Sequence, residues 1–296
     1  MQHKKELSLR EYMNRFSSED ACISYLIGKK WPNGFVCPKC GAKDAYYIKT
    51  RKKYQCKQCR CQTTVTAHTI MHRSHLPLVL WFMAFYFVAC DKRGISAVAL
   101  SGKLDVCYET AWYMLMRIRK AMDAREHQYI LAGQLEMDDS YFGAKVKGKE
   151  GRGAGNQSVM VAVSKKTDGT PGFLKMRITD DVKRSSVRQF LSENVAKGSV
   201  VETDGFRSYI QPLREGYTQV AEDFDPDSAH LLWIHMIIGN AKAFLNGTYH
   251  GTSTKHLQLY LSEFCYRFNR RFLHGNIFDH LVSAATLSNN ILGLAA

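Results

Sequence analysis

Two pairs of cysteines constrain the fold of this chain more than any other feature. Cys37-Pro-Lys-Cys40 and Cys56-Lys-Gln-Cys59 are both C-x2-C pairs, and a fifteen-residue spacer separates them. Each pair predicts a tight turn with two thiolates pointing at one ion, and two such turns complete the tetrahedron that Zn²⁺ prefers in structural sites. Buried or redox-active thiols are the alternative interpretation.

The residues around these cysteines fit a small zinc ribbon. Gly41 suits the left-handed backbone of the first turn, and Ala45–Thr50 and Lys53–Gln55 predict short strands. So small a domain cannot bury a full core, so we expect binding of the ion to supply its folding free energy. Nearby side chains that we do not assign to the ion are Cys61, His68, His72 and His75.

The positive charge is concentrated at the N-terminal end. The formal net charge is +14, and residues 1–75 hold 15 Lys and Arg against 5 Asp and Glu. Such a segment favours a polyanion, because neutralising phosphates releases counterions; a charged surface that serves solubility is the alternative. The ribbon residues expected to contact DNA are Lys49, Arg51, Lys52, Lys53, Lys57 and Arg60.

Neither a signal peptide nor a membrane span is predicted. Met1–Arg15 has no apolar core, and Leu76–Cys90 is shorter than the roughly 20 residues that cross a bilayer. The nine cysteines fit metal ligands or buried thiols in a reducing compartment. We expect a cytoplasmic, nucleoid-associated protein with no membrane partner.

Three helices are predicted next, at Leu78–Ala89, Ile95–Ser101 and Tyr108–Met122. A short Gly-containing turn joins the last two, which is typical of a helix-turn-helix, although a helical linker bundle gives the same pattern. In a helix-turn-helix the first residues of the last helix would read bases and its later basic residues would approach phosphates. These residues are Tyr108, Glu109, Thr110, Arg117, Arg119 and Lys120.

From Gln134 onward the pattern predicts an α/β domain. Strands are expected at Leu135–Phe142, Ser158–Ser164, Phe173–Ile178 and Ser199–Thr203, with a helix at Ser185–Val195 before the last strand. This order predicts a ribonuclease-H-like mixed sheet with flanking helices.

Two acids stand where such a sheet would bring them together. Asp138 lies inside the first strand, and Asp204 ends the later one. Paired carboxylates suit two Mg²⁺ or Mn²⁺ ions, which activate the attacking oxygen and stabilise the leaving oxygen in phosphodiester chemistry. An ordinary Asp-Gly turn is the alternative interpretation of Asp204.

Five ordered blocks resemble the ISXO-like insertion-sequence transposases. They are the four-cysteine ribbon, Leu135-Glu-Met-Asp-Asp-Ser-Tyr-Phe-Gly143, Thr203-Asp-Gly-Phe-Arg-Ser-Tyr209, Gly247-Thr-Tyr-His-Gly251 and Lys255-His-Leu-Gln-Leu-Tyr-Leu-Ser-Glu-Phe-Cys-Tyr-Arg-Phe-Asn-Arg-Arg271. The resemblance implies a DDE-type core with Asp138 and Asp204 as its first two acids. It also implies DNA as partner and a homodimer or larger assembly.

The third acidic position departs from that family. Asn240 occupies the expected place of a glutamate in a His-x4-Glu pattern and is our preferred third ligand. His235 is the rival, and helix-surface packing is the alternative for both. Lys242, also matched, is expected to neutralise a DNA phosphate.

Further basic residues are expected near the DNA. Lys145 and Lys147 belong to the loop Ala144–Gly155, which is either a lid on the DNA strand or a solvated loop; Arg270 and Arg271 end a C-terminal helix.

Four domains are expected: a helical lead (1–30), the ribbon (31–66), the helix-turn-helix-like segment (74–126) and the catalytic domain (132–285). The activity expected by resemblance is metal-dependent hydrolysis at the element ends followed by strand transfer. A DNA-binding regulator with an inactive core, and a nuclease without strand transfer, are the alternatives.

Overall fold

The computed structural model contains two compact units. The first unit comprises Met1–Ala124 with Leu273–Ala296, and the second comprises Arg125–Phe272. The structure describes residues 7–143, 157–221, 230–250, 252–272 and 277–287.

A three-stranded antiparallel sheet forms the cysteine-containing part of the first unit. Its strands are β1 (Ala45–Ile48), β2 (Lys53–Cys56) and β3 (Gln62–Thr63), in sequence order. The two strands predicted from the sequence are confirmed. The first ends before Thr50, because Lys49–Arg51 forms a 3-10 turn.

The two cysteine turns have the same backbone hydrogen bonds. The amide of Gly41 donates to the carbonyl of Cys37 at 3.0 Å, and the amide of Arg60 donates to the carbonyl of Cys56 at 3.1 Å. Gly41 and Arg60 both have a positive φ, of 74° and 60°. The second turn therefore repeats the first, although Arg60 occupies a position that favours glycine.

The four thiols of these turns converge on one point. All four sulfur atoms lie within 4.8 Å of one another. The Cys37–Cys59 sulfurs are 3.5 Å apart and the Cys40–Cys56 sulfurs 3.6 Å apart. A tetrahedral ion with bonds of about 2.3 Å separates its ligand sulfurs by roughly 3.8 Å, so the cluster has the dimensions of a structural zinc site.

The other regular elements described in the first unit are helices. Ser8, Ser18 and Ser96 cap three of them, each accepting the amide three residues ahead, as N-cap serines do. The helices are α1 (Leu9–Arg15), α2 (Glu19–Lys30), α3 (Leu78–Cys90), α4 (Ala97–Leu104), α5 (Tyr108–His127, whose last residues belong to the second unit) and α10 (Ile277–Leu287).

The last helix, α10, corrects a predicted boundary. Phe278 packs among the rings of Tyr12, Phe16 and Phe82, and Asp279 accepts a hydrogen bond from Tyr25. These apolar contacts place α10 in the first unit, so the expected domain 132–285 was drawn too long at its C-terminal end.

A five-stranded mixed sheet forms the centre of the second unit. Its order is β6-β5-β4-β7-β8; β4, β5 and β6 are antiparallel, whereas β7 and β8 run parallel to β4. The predicted α/β class and the strand order are confirmed. The strands are β4 (Gln134–Phe142), β5 (Gln157–Lys165), β6 (Pro171–Thr179), β7 (Val200–Thr203) and β8 (Thr218–Ala221).

Helices cover both faces of this sheet. The face with Val159, Val161 and Val163 packs on α8 (Leu232–Tyr249) and α9 (Thr254–Asn269). The opposite face, which includes Met137 and Met160, packs on the helices α6 (Arg184–Asn194) and α7 (Arg207–Arg214). Alternate residues of one strand therefore belong to different cores. Whether a residue has an odd or an even position in its strand decides which helices its side chain contacts.

A buried ion pair links the end of α5 to the end of α9. Arg270 is 6% exposed and donates to Glu126 at 2.6 Å. The other carboxylate oxygen of Glu126 accepts from Asn269 at 2.6 Å. The prediction that Arg270 contacts DNA is therefore wrong, because its guanidinium is enclosed and paired.

Other predicted DNA contacts also have partners inside the protein. Arg271 is half-buried and donates to the carbonyls of Pro171 and Gly172. Arg117, also half-buried, donates to the carbonyls of Ile70 and His72. Arg119 is buried, which contradicts its expected position near phosphates.

In the described part of the chain, every helix is too short or too polar to cross a bilayer. The apolar helix α3 is largely buried, as the sequence predicted.

The cysteine cluster makes a metal-removal prediction. Cys56→Ser is expected to lower bound zinc well below one ion per chain and to expose residues 31–66 to proteolysis, because the ion supplies the folding free energy. Cys61→Ser is the matched control, since Cys61 lies outside the cluster. Metal analysis and limited proteolysis measure both, and equal zinc loss in the two variants would contradict the assignment.

The buried ion pair makes a stability prediction. Arg270→Met leaves the Glu126 carboxylate buried and uncompensated, which is expected to lower the free energy of unfolding by about 3–5 kcal/mol. Urea unfolding measures this, with Arg188→Met in the exposed Arg188–Glu215 pair as the control that changes little. The DNA affinity per folded molecule should stay at the wild-type value. A loss of DNA affinity in correctly folded protein would indicate that Arg270 contacts DNA.

Candidate active site

The register between β4 and β7 brings the two predicted acids together. These strands are parallel, and Glu136 is paired with Glu202. Asp138 lies two residues further along β4, on the face that α8 covers, because side chains alternate along a strand. Asp204 directly follows the last residue of β7, and its negative charge acts on the carboxyl of Asp138. The two acids therefore lie near each other where β7 ends.

Asp138 is largely buried and lies near other negatively charged side chains. Burial raises the pKa of its carboxyl to about 6, and the nearby negative charges of Asp139 and Asp204 act in the same direction. The backbone amide of Asp139, which donates at 2.7 Å, and the ring of His235 oppose that rise. A divalent cation would relieve this repulsion.

The neighbouring acid, Asp139, faces the other side of the sheet. Its carboxylate accepts a hydrogen bond of 2.8 Å from the hydroxyl of Tyr209, which is fully buried on α7. Contact with Asp139 also raises the pKa of Tyr209, after burial as the main cause. Asp139 therefore has a structural partner, and Asp138 is the acid directed to α8.

Asp204 is held by the turn that follows β7. Its carboxylate accepts the amide of Phe206 at 3.1 Å, and Gly205 between them has a φ of 76°. The predicted Asp-Gly turn and the predicted acid site thus coincide, because the turn sets the direction of the carboxylate.

Helix α8 places His235, rather than Asn240, beside the acids. The Nε2 atom of His235 lies 3.4 Å from the Oδ2 atom of Asp138, and the ring is 43% exposed. Asn240 is five residues later, about 140° further round the helix, and is exposed. This geometry reverses the preference that the sequence suggested between the two.

Lys242 lies on the same side of α8 as His235. Seven residues separate them, which is close to two helical turns. The Nζ atom of Lys242 is 5.5 Å from the centre of the Phe142 ring, and Phe142 follows Asp138 on the same face of β4. The positively charged ammonium group of Lys242 therefore lies near β4, four residues beyond Asp138.

The basic residues predicted from the ribbon are at its surface. Lys49, Arg51, Lys52 and Lys57 are exposed, Lys53 is half-buried, and Lys52 forms an exposed ion pair with Asp20 at 3.4 Å. Tyr108, at the start of α5, is 50% exposed. Lys145 and Lys147 lie outside the described residues.

Sequence reasoning missed a charged cluster next to the acids. Glu136 is 1% exposed, and its Oε2 atom accepts the backbone amide of Ile234 at 2.8 Å. Lys165 lies 3.1 Å from Glu136 and 2.6 Å from Glu202. The sequence contained a signal for this cluster, because Glu136 and Glu202 each precede a predicted catalytic acid by two positions, and residues two positions apart in a strand lie on the same face.

Comparison with known proteins gives consistent matches. The ISXO2-like transposase domain family matches residues 130–269, and the transposase zinc-ribbon domain family matches residues 17–62. An uncharacterized protein in the transposable element ISH50 of Halobacterium salinarum is 29% identical over 219 residues, covering 68% of this chain and 71% of that protein. The first match contains both acids and α8, and the second contains all four clustered cysteines. The chain therefore contains a transposase zinc-ribbon domain followed by an ISXO2-like transposase domain.

Proposed function

We propose that this transposase binds the ends of its element and catalyses divalent-metal-dependent phosphodiester hydrolysis and strand transfer, with Asp138, Asp204 and His235 as the active-site residues. The observation that carries the proposal is the register of β4 on β7, which pairs Glu136 with Glu202 two positions before each acid; the electrostatic effect of Asp204 on Asp138 supports it. Two carboxylates directed to one place are costly unless a cation or a proton joins them.

The donor set fits Mg²⁺ or Mn²⁺. Hard cations take oxygen ligands and bind through one or two carboxylates together with a substrate phosphate. Asp138 and Asp204 would hold the metal, and His235 offers nitrogen rather than oxygen. Two bound cations would supply the charge that activates the attacking oxygen and stabilises the leaving oxygen.

The chain's own groups orient the DNA around this centre. The ring of His235 reaches both Asp138 and solvent, so Nε2 is placed to hydrogen-bond a phosphate oxygen or the attacking water. The ammonium group of Lys242 neutralises a neighbouring phosphate of the same strand. Water is the nucleophile at the element end, and the freed 3′-hydroxyl is the nucleophile in target joining.

Two surfaces of the first unit are proposed to bind the DNA. The exposed basic residues of the ribbon supply sequence-independent attraction to phosphates. Helices α4 and α5 form the helix-turn-helix-like pair, with Asp105 in the left-handed conformation (φ 52°) between them. The exposed side chains at the start of α5, Tyr108 among them, are the candidates for base reading. We further propose that a homodimer or larger assembly holds the paired ends.

A DNA-binding regulator with an inactive core is the second candidate function. The observation that favours it is the absence of a carboxylate at both candidate third positions, His235 and Asn240. Such a protein would bind element ends and would not nick them in any metal.

Removal of an acid tests the catalytic proposal. Asp138→Ala is expected to reduce Mg²⁺- or Mn²⁺-dependent nicking of element-end DNA to background while DNA affinity is kept, because the carboxylate holds the cation and not the duplex. Gel assays of nicked and joined products measure this. A wild type that binds without nicking supports the regulator, and nicking without joined product indicates a nuclease.

The third position has its own test in α8. His235→Ala is expected to lower kcat by at least about 100-fold, as misplacement of a reacting group does. Asn240→Ala, on the far side of the same helix, should leave kcat near the wild-type value. A larger loss of kcat in Asn240→Ala than in His235→Ala would instead indicate that Asn240 is the third active-site residue.

The ribbon surface predicts a salt-dependent effect. Replacing Lys49, Arg51 and Lys57 by Ala is expected to weaken binding to any sequence and to reduce the slope of log affinity against log salt by roughly 0.9 for each phosphate that the variant no longer neutralises. The control removes the same charge from α6 and the residue before it, through Ala at Lys183, Arg184 and Arg188. Equal slopes in both triple variants would exclude the ribbon as the DNA-binding surface.

A further inference from the structure

We infer that Glu136 and Lys165 are positioning residues that fix the start of α8 on the sheet and thereby set His235 against Asp138. This inference rests on the proposed function, because His235 matters only if the acids act on DNA. It begins from two contacts of one buried carboxylate, neither of which the metal would need.

The start of α8 has no cap of its own. Leu231, at the N-cap position, has a left-handed backbone and contributes no side-chain hydrogen bond. Three residues later, the amide of Ile234 donates to the carboxylate of Glu136 at 2.8 Å. A strand residue therefore caps this helix, and its negative charge faces the positive end of the helix dipole.

The cap is attached to the strand that carries Asp138. Glu136 and Asp138 lie two residues apart on the same face of β4, and Ile234 and His235 are adjacent on α8. The hydrogen bond from Ile234 to Glu136 and the 3.4 Å approach of His235 to Asp138 are thus consecutive contacts between one strand and one helix turn. A shift of the helix start would break both.

Lys165 fixes the orientation of the capping carboxylate. Its ammonium group lies 3.1 Å from one oxygen of Glu136 and 2.6 Å from Glu202, so the second oxygen of Glu136 stays directed to Ile234. Its single positive charge offsets one of the two negative charges of Glu136 and Glu202, each of which lies two positions before a proposed catalytic aspartate.

The second catalytic strand is tied to the same segment. A ring nitrogen of His230 lies 2.9 Å from the carbonyl oxygen of Thr203, the residue before Asp204. The Nε1 atom of Trp233 donates to the carbonyl of Gly169 at 2.9 Å, in the turn between β5 and β6. Residues 230–235 thus contact both acid-bearing strands and the neighbouring hairpin.

A purely stabilising role is a poor explanation for this buried charge. Desolvation of ion pairs offsets most of their attraction, so apolar side chains of similar size would serve stability equally well. Groups that orient active-site side chains, in contrast, typically change activity 10- to 100-fold when replaced. The contacts of Glu136 are of that orienting kind.

The experiment compares two buried glutamates of the full-length protein. Glu136→Leu removes the cap, and Glu136→Gln keeps an oxygen for the Ile234 amide. Glu126→Gln is the matched control, because Glu126 is 2% exposed and its carboxylate is bonded to Asn269 and Arg270 at the end of α9. The measurements are kcat and KM for Mn²⁺-dependent nicking of plasmid carrying the element end, per folded molecule, and hydrogen exchange of α8 peptides.

Glu136→Leu is expected to lower kcat about 10- to 100-fold with KM for DNA unchanged, and to speed amide exchange in the first turn of α8 roughly tenfold or more. Glu136→Gln should recover part of both, and Glu126→Gln should change neither.

Equal kcat and equal α8 exchange in Glu136→Leu and the control overturn the positioning role while leaving the proposed function intact. A wild type that never nicks DNA overturns the proposed function instead, and the exchange of α8 then decides alone whether Glu136 fixes the helix.

Discussion

The parallel pairing of β4 with β7 is the interaction on which the rest of the site depends. Asp138 and Asp204 are 66 positions apart in the sequence, and the register that pairs Glu136 with Glu202 brings the segments that carry them side by side. A slip of one residue would turn one acid to the opposite face of the sheet. Burial of the paired residues Leu135 of β4 and Val201 of β7 in one core opposes such a slip, because the slip would turn one of them out of that core.

The same alternation separates the proposed catalytic acid Asp138 from the structural acid Asp139. Asp138 faces α8 with its pKa raised to about 6, whereas the next residue, Asp139, is bonded to the buried hydroxyl of Tyr209. Glu136 returns to the catalytic side, where it meets the start of α8. The three acids within these four residues thus have different surroundings, because consecutive side chains of β4 point to opposite faces of the sheet. The side of the sheet that Asp138 faces, and its contact with His235, are a consequence of that strand's burial pattern.

The parts of this structure that local spacing determines could be predicted from the sequence. Two C-x2-C pairs identify the ribbon, and strand alternation identifies β4, β5, β6 and β7 in their correct order. The preference for Asn240 over His235 as the third position came from the family resemblance rather than from helical phase. The spacing of seven between His235 and Lys242 was the available signal, since it places both on one side of a helix. The environments of Arg270 and α10 depend on tertiary contacts. The sequence pattern predicts that a basic residue at the end of a helix is exposed to solvent. In the folded chain Arg270 is instead buried in an ion pair with Glu126.

The central claim, that these two aspartates hold divalent cations, is tested most directly by metal-directed backbone cleavage. Fe²⁺ bound in place of Mg²⁺, with ascorbate and peroxide, cuts the polypeptide within a few ångströms of the ion. Our account predicts cuts near residues 138, 204 and 235 that disappear when excess Mg²⁺ is added or Asp204 is replaced by Asn. Cuts confined to the cysteine ribbon, or cuts at the sheet that persist in the Asp204 variant, would contradict it.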